Sequence, residues 1–169
     1  PLIPENWTLL IHNDGITQCA GGIQSLLSHT SAPDIIGQKV AYIGPGTGLG
    51  GGFCTVESAN NLVFFSDGHI FDICLKNSAD NTRVMAEDVI SGRGFYEQYD
   101  ITPKAISASQ KALKKYASSI VKMGQYLANL IIAIHLGAFE KKETLNNWDN
   151  ETMTQVKGIT HFLLGGGLM

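Results

Sequence analysis

The chain has 169 residues, 44% of them hydrophobic, and a formal net charge of −3, so it can bury one sizeable core within a single domain. Its basic residues are scattered apart from Lys111, Lys114 and Lys115, and this distribution excludes an electrostatic footprint for nucleic acid. No uninterrupted apolar run approaches about 20 residues and no charged-then-apolar leader opens the chain. We therefore expect no membrane span and no secretory signal, and a cytoplasmic protein.

Three cysteines, Cys19, Cys54 and Cys74, are far apart in apolar surroundings and form no C-x-x-C pair. This usage indicates reduced thiols in the core, because disulfide frameworks and metal clusters need paired or closely spaced cysteines. We therefore expect no metal ligands among them.

The first half of the chain alternates apolar runs with turn signals. Residues 8–12 (TLLIH) predict a buried strand, and apolar positions from Ile16 to Ser28 fit one face of a helix. A loop with Pro33 follows. Glycine, Ser-Ala-Asn-Asn and Ser-Asp-Gly signals then separate four predicted strands. These strands lie at about 39–44, 51–57, 61–65 and 70–75 and predict an antiparallel meander.

The second half is predominantly helical by its pattern. Residues 84–99 predict short helices broken at Ser91-Gly92, and Pro103 starts a predicted long, mostly buried helix that runs to about Gly137. Residues 140–151 are polar and predict a surface loop, and residues 159–164 predict a strand that ends at a triple glycine. This order favours a mixed-sheet α/β domain over a sandwich or a helical bundle.

The segment from Gln38 to Glu57 is the strongest functional signal, because a glycine turn with one hydroxyl, that of Thr47, joins two apolar strands. Its glycines also satisfy G-x-G-x-x-G, yet the residues that follow favour a strand, whereas a dinucleotide-binding fold needs a helix there. A Walker loop would need a lysine, and none lies between Lys39 and Lys76. The pattern therefore predicts a phosphate-binding hairpin of the actin and sugar-kinase ATPase class, with an ordinary tight hairpin as the alternative.

Asp14 stands where a predicted buried strand leads into a helix, between Asn13 and Gly15. A carboxylate at this position can face a cleft while helix N–H groups keep it ionised, which suits a general base. The structural alternative is equally specific, since Asp is a favoured residue for capping a helix N-terminus.

Further polar residues follow in Ser66-Asp67-Gly68-His69 and at Glu87. Together with Asn13 and Asp14 they would present an amide, carboxylates and an imidazole, the directional partners that recognition of several sugar hydroxyls requires. Taken singly, Asp67-Gly68 is typical of a hairpin turn and Glu87 of the first turn of a helix.

Six blocks resemble, in order and across nearly the whole chain, bacterial glucokinases and the related ROK-type sugar kinases. They are IHNDGITQCAGG, YIGPGTGLGGGF, SDGHIFDI, AEDVISGRGF, MGQYLANLIIAIHLG and THFLLGGGLM. The glucokinase branch fits better, because the cysteine-rich zinc motif of ROK proteins is absent from the sequence. The resemblance implies an actin-like, RNase H-like fold and the phosphorylation of a hexose at its 6-hydroxyl, with ATP and Mg²⁺.

The resemblance also assigns roles to individual residues. It implies that Asp14 is the catalytic base, and that Asn13, His69 and Glu87 bind the sugar. It implies that Gly46, Thr47 and Gly48 form a turn that binds phosphate. It also implies that Gly165 and Gly166 form a turn that contacts adenosine.

Two departures from the family pattern affect these expectations. The family usually has Glu-Gly-Gly-His where this chain has Ser66-Asp67-Gly68-His69, so a sugar-binding carboxylate is replaced by a hydroxyl and Asp67 is the candidate substitute. The family's Asp-Gly-Gly-Thr hairpin, its first phosphate motif, has no counterpart in the sequence. We therefore expect one lobe of a kinase, with a catalytic strand and helix in residues 1–30 and the core of the larger C-terminal lobe in residues 38–169, inactive by itself.

Two other functions stay open at this point. One is a sugar- or nucleotide-binding pseudokinase or regulatory module that has kept the scaffold and lost phosphoryl transfer. The other is a kinase of the same fold that acts on an amino sugar or pantothenate. The resemblance further implies that the chain can form a homodimer, although no patch in the sequence identifies the interface.

Overall fold

The computed structural model describes residues 13–29, 34–65, 69–76, 82–138, 140–141 and 154–167. The helices are α1 (Asp14–Leu27), α2 (Ala86–Ile90), α3 (Gly92–Tyr99), α4 (Pro103–Ser107), α5 (Gln110–Lys115) and α6 (Ala117–Leu136). The strands are β1 (Lys39–Pro45), β2 (Leu49–Ser58), β3 (Asn61–Phe64), β4 (Ile73–Lys76), β5 (Arg83–Met85), β6 (Glu140–Lys141) and β7 (His161–Leu164). The predicted strand at 8–12 lies outside the described residues.

The main sheet is mixed and has the strand order β3-β2-β1-β7. Strand β2 is antiparallel to both of its neighbours, β1 and β3, whereas β7 runs parallel to β1. Pro45 pairs with Leu49, so residues 46–48 form the tip of the β1–β2 hairpin. The α/β class, the mixed sheet and this glycine hairpin are as the sequence predicted.

Both faces of β1 and β2 are covered, and this explains their near-continuous apolar sequences. Alternate side chains point to opposite faces of a strand. On one face, Val40 and Tyr42 pack in a cluster with Cys19 and Ile23 of α1. On the other face, Ala41, Ile43 and Phe53 pack in a second cluster with helices α2 and α6, through Ile90, Leu130 and Ile134. The sheet therefore lies between two helical layers.

The first turn of α1 lies unusually close to β2. A Cβ atom on Gly15 would lie 2.3 Å from the carbonyl oxygen of Gly51 and 2.6 Å from its nitrogen, both backbone atoms. A Cβ on Gly51 would in turn overlap the side chain of Ile70. Glycine is therefore required at both positions by close approach, and part of the glycine run after Thr47 packs α1 onto the sheet.

The predicted strand at 70–75 is only partly correct. Ile70–Asp72 form a single 3₁₀ turn, because the side chain of Ile70 is buried beneath the backbone of Gly51 and the chain bends there. The strand itself, β4, begins at Ile73 and belongs to a second, antiparallel sheet of order β5-β4-β6. Two sheets thus replace the single predicted succession of four strands.

The predicted long helix is divided into α4, α5 and α6. Thr102 and Ser109 each accept a hydrogen bond from a backbone N–H at the start of a new helix, at 3.2 Å and 3.3 Å, as helix-capping hydroxyls do. Tyr116, with φ −102° and ψ 14°, separates α5 from α6. Burial is also less than predicted, since Ile120 and Val121 are exposed.

Helix α6 is long and apolar enough to cross a membrane by length and composition alone. Three of its residues, Tyr126, Leu130 and Ile134, are buried in the cluster that packs against the main sheet. One stripe of α6 therefore packs against the main sheet.

Candidate functional site

A cavity of about 500 Å³ opens at the end of the β1–β2 hairpin, within the usual size range of small-molecule sites. Five segments line it: the start of α1, the glycine turn with the start of β2, the 3₁₀ turn at Phe71, α2 with the start of α3, and the turn after β7. Among the residues predicted to be functional, the lining includes Asn13, Asp14, Gly46, Thr47, Gly48, Glu87 and Gly166. The structure therefore brings together residues that are distant in the sequence.

The start of α1 supplies an amide and a carboxylate to this cavity. Asn13 is the capping residue, and its Oδ1 accepts a hydrogen bond from the Gly15 N–H at 2.8 Å. Asp14 is the first helical residue, and its Oδ1 shares the same N–H at 2.8 Å. Within the described part of the chain, the second carboxylate oxygen of Asp14 has no partner. Asp14 is thus anchored through one oxygen while the other is available to a ligand.

The glycine turn is fixed by its neighbours as well as by its own strands. The Gly92 N–H donates to the Gly46 carbonyl at 2.8 Å, and the Arg93 N–H donates to the Thr47 carbonyl at 2.9 Å. Among the described residues, the N–H groups of Thr47 and Gly48 have no hydrogen-bond partner. A rigid turn with two available N–H groups and one hydroxyl suits the oxygens of a phosphate group.

Glu87 links α2 to the same turn. Its Oε2 accepts a hydrogen bond from the Leu49 N–H at 2.7 Å, and its Oε1 forms a 2.8 Å ion pair with the Arg93 guanidinium. Each carboxylate oxygen has two lone pairs, so Glu87 can still accept a further hydrogen bond from the cavity. The residue predicted as a sugar ligand therefore also positions the glycine turn.

The turn after β7 reaches the cavity because two glycines fit where side chains would not. Gly166 has φ +91°, and a Cβ on it would lie 2.3 Å from the Pro45 carbonyl oxygen. Gly165 donates its N–H to Ile43 at 3.1 Å, and its Cα packs against the ring of Tyr42. Gly166 and Gly167 line the cavity, whereas Gly165 lines a separate groove beside α1.

The remaining predicted sugar ligands are placed less directly. His69 is half-buried, with its ring centroid 4.9 Å from that of Phe71, a residue that lines the cavity. His69 itself is not in the lining. Ser66 and Asp67 lie outside the described residues, so their predicted roles stay predictions.

The lining also includes residues that the sequence did not single out, among them Gln18, Phe71 and Arg93. Gln18 lies one helical turn after Asp14, and this i, i+4 spacing could have indicated it. Its Oε1 accepts a hydrogen bond from the Tyr42 hydroxyl at 2.7 Å. Arg93 is a cation between two glycines, and only the fold shows that it borders the glycine turn.

Tyr42 lies beneath the site and titrates abnormally. Burial raises the pKa of Tyr42 above its usual value, and its proximity to Cys19 and Asp14 raises it further. Its neutral hydroxyl is consequently a stable donor to Gln18 across the physiological pH range.

The cavity offers few carboxylates to a divalent cation. Asp14 and Glu87 are the acidic residues of its lining, and the described residues contain no group of three or more His, Cys, Asp or Glu side chains that could hold a metal ion. This arrangement suits Mg²⁺ that is held mainly by phosphate oxygens and water, as Mg²⁺ commonly is beside nucleotides.

Comparison with known proteins adds one positive finding. A protein-family model described as Glucokinase matches residues 22–140, more than half of the chain. The matched range contains the glycine turn, Glu87 and Arg93, whereas Asn13, Asp14 and the turn after β7 lie outside it. A search of curated proteins finds no match.

Proposed function

Because the chain belongs to the glucokinase family, we propose that it phosphorylates a glucose-like hexose at the 6-hydroxyl, with ATP as the donor and Asp14 as the general base. Membership of the family identifies a sugar kinase. The observation that supports the specific reaction is that Asp14 and the Thr47 turn line one cavity. The actin-like fold of this family and a cytoplasmic location belong to the same proposal.

The chemistry follows from the placement of these groups. Asp14 orients the hexose hydroxyl and accepts its proton while the hydroxyl oxygen forms a bond to the γ-phosphorus of ATP, and ADP leaves. The available N–H groups of Thr47 and Gly48 stabilise charge on the transferred oxygens. Asn13, Glu87 and His69 hold the other sugar hydroxyls, with Ser66 and Asp67 as further candidates, and Gly165 and Gly166 meet adenosine.

When Mg²⁺ is bound together with ATP, it neutralises part of the negative charge on the phosphate groups. We propose that it arrives with ATP, because the cavity offers isolated carboxylates and one of them, Glu87, already accepts two hydrogen bonds from protein groups.

A substitution of Asp14 tests this function in the protein expressed from its complete reading frame. Asp14→Asn keeps an oxygen that can accept the Gly15 N–H, so α1 stays intact while the base is lost. We expect the rate of hexose phosphorylation, measured by coupled ADP release, to fall about 10²- to 10⁴-fold. Glucose affinity, measured by calorimetry, should change by no more than a few fold.

The matched control is Asp88→Asn, which removes the same charge from an exposed position on α2 outside the cavity. Its rate should equal that of the unmodified protein. Equal losses in the two variants, or a fully active Asp14→Asn protein, would disprove the role of Asp14. The same assay on the 169 residues alone tests the prediction that they are inactive by themselves.

A second candidate is a binding module without phosphoryl transfer, favoured by Ser66 where the resembling family has a glutamate. Calorimetry with glucose, mannose, N-acetylmannosamine and pantothenate separates the substrate classes. Tight sugar binding combined with no ADP release from the unmodified protein would favour the binding module.

We also propose a homodimer, which sedimentation would detect.

A further inference from the structure

A second cavity, of about 550 Å³, adjoins the first across the glycine turn. The two share Gly46, Thr47, Arg93 and Gly167. The lining of the second cavity also includes Tyr96, Thr102 and Lys104, and among the residues that the structure describes it contains no carboxylate. Lys104, together with the N–H donors that Arg93 keeps beside its ion pair with Glu87, favours an anionic ligand there, although the chain as a whole is negative.

Arg93 stands at the border of the two cavities and is held there at both ends. Its backbone N–H donates to Thr47, and its Nη2 lies 2.8 Å from Glu87 Oε1. The side chain is nevertheless 62% exposed. A guanidinium has five N–H donors, and within the described ranges Glu87 is the one hydrogen-bond partner of this side chain. The remaining donors are available to a ligand.

We propose that Arg93 binds the phosphate chain of the donor nucleotide, which approaches through the second cavity, and that Glu87 orients the guanidinium for this contact. The inference rests on the proposed kinase function and adds to it a residue that none of the roles above includes. A guanidinium fork matches phosphate oxygens with two parallel hydrogen bonds. Because Glu87 holds one corner of the fork, less side-chain freedom is lost when phosphate binds.

This arrangement also connects the two substrates physically. Glu87 lines the first cavity as a candidate sugar ligand, while Arg93, whose guanidinium it orients, lines both cavities. The Thr47 turn lines both cavities and is fixed on two sides: Glu87 accepts a hydrogen bond from the Leu49 N–H, and the Arg93 N–H donates to the Thr47 carbonyl. Arg93 is therefore a binding residue for the donor, and Glu87 is a positioning residue for Arg93.

The test is calorimetry on the protein expressed from its complete reading frame, with four probes: tripolyphosphate, a non-hydrolysable ATP analogue, adenosine and glucose. Hydrogen bonds to charged groups contribute about 1.5–3 kcal/mol each, so Arg93→Ala should weaken binding of tripolyphosphate and the ATP analogue about 10- to 100-fold. Adenosine and glucose affinities should change less than twofold. Arg93→Lys keeps the charge without the fork and should recover part of the loss.

Lys111→Ala is the matched control, because it removes one positive charge from an exposed position on α5 that lies outside both cavities. It should bind all four probes as the unmodified protein does. Far-UV circular dichroism and the melting temperature check that each variant is folded. If Arg93→Ala does not fold, the comparison is made with Arg93→Lys instead.

Unchanged tripolyphosphate affinity in a folded Arg93 variant would overturn the inference, as would an equal loss of adenosine affinity. If hexose phosphorylation depends on Asp14 while Arg93 variants bind the ATP analogue normally, only this inference fails. If tripolyphosphate binding depends on Arg93 while the protein phosphorylates no hexose, the proposed function fails and the Arg93 site stands.

Discussion

At the scale of single residues, Glu87 shows how one side chain serves two tasks. Its carboxylate accepts the Leu49 N–H at the start of β2 and pairs with Arg93 at the start of α3. Substituting it would loosen the Thr47 turn and also remove the carboxylate that we propose as a sugar ligand. A kinetic defect in a Glu87 variant would therefore report on both substrates, and it should be analysed with both concentrations varied.

Tyr42 provides a prediction about pH. Its pKa is raised in the folded state, chiefly by burial, so the unfolded chain releases this proton at lower pH than the folded one. The associated stability is present below the usual tyrosine pKa of about 10 and is lost as the pH rises above it. We expect the free energy of unfolding in urea to fall between pH 9 and 11, and to fall less steeply in Tyr42→Phe.

The control for this prediction is Tyr96→Phe, because Tyr96 is 48% exposed. That variant should keep the alkaline loss of the unmodified protein. A Tyr42→Phe protein with the same pH slope as the Tyr96→Phe protein would show that another group causes the effect.

At the scale of elements, the close contact between α1 and β2 depends on glycine residues, which have no side chain. In Gly15→Ala the added methyl group would meet backbone atoms of Gly51, which cannot move aside without disturbing the hairpin. We expect a loss of about 1–3 kcal/mol in unfolding free energy, as overpacked sites show, measured by urea denaturation. The start of α1 should also shift and weaken glucose binding.

Gly21→Ala on the same helix is the matched comparison. A Cβ there would meet nothing within 4 Å, so the substitution should stabilise the protein by about 0.5–1 kcal/mol through helix propensity. A destabilised Gly21→Ala protein, or an unaffected Gly15→Ala protein, would contradict the close-approach explanation.

Elements with local signals were predictable from the sequence, and those set by packing were not. The glycine hairpin and the break at Ser91 follow from residues within a few positions. The division at Tyr116 has no glycine or proline to mark it, since apolar spacing continues through it. The 3₁₀ turn at Ile70 depends on a contact with Gly51 in another strand, which no local pattern shows.

At the scale of the whole molecule, the three cysteine thiols differ in how far they are buried. Cys19 and Cys54 are buried in the cluster beneath α1, whereas Cys74 in the second sheet is partly accessible. The adjoining Cys54 thiol and burial both raise the pKa of Cys19, which suppresses the reactive thiolate. We expect a thiol reagent such as DTNB to modify Cys74 quickly in the native protein, and the other two at the rate of unfolding.

Cys74→Ser should abolish the fast phase and leave the slow one unchanged. If all three thiols reacted at one rate, the buried cluster would be open in solution. The three cysteines were predicted as reduced core thiols. Cys19 and Cys54 are buried and Cys74 is half-buried, while the reduced state stays a prediction.

The site as a whole was partly predictable, because its candidate residues come from short motifs that the fold brings together. Asp14, Thr47 and Glu87 are far apart in sequence and line one cavity. The sequence could not show that Glu87 holds the Leu49 N–H, or that Arg93 stands between two cavities, since both facts depend on how α2 and α3 pack against the hairpin. The type of a residue indicates which chemistry its side chain can perform, whereas its hydrogen-bond partners are known only once the fold is known.

The parallel pairing of β1 with β7 has a consequence for synthesis of the protein. Val40 pairs with His161, more than a hundred residues later in the chain. At roughly 5–20 residues per second on the ribosome, the completed β1–β2 hairpin waits on the order of ten seconds with one apolar edge bare. Such an edge is a template for pairing with other chains. We therefore expect nascent-chain chaperones to shield it until residues 161–164 emerge.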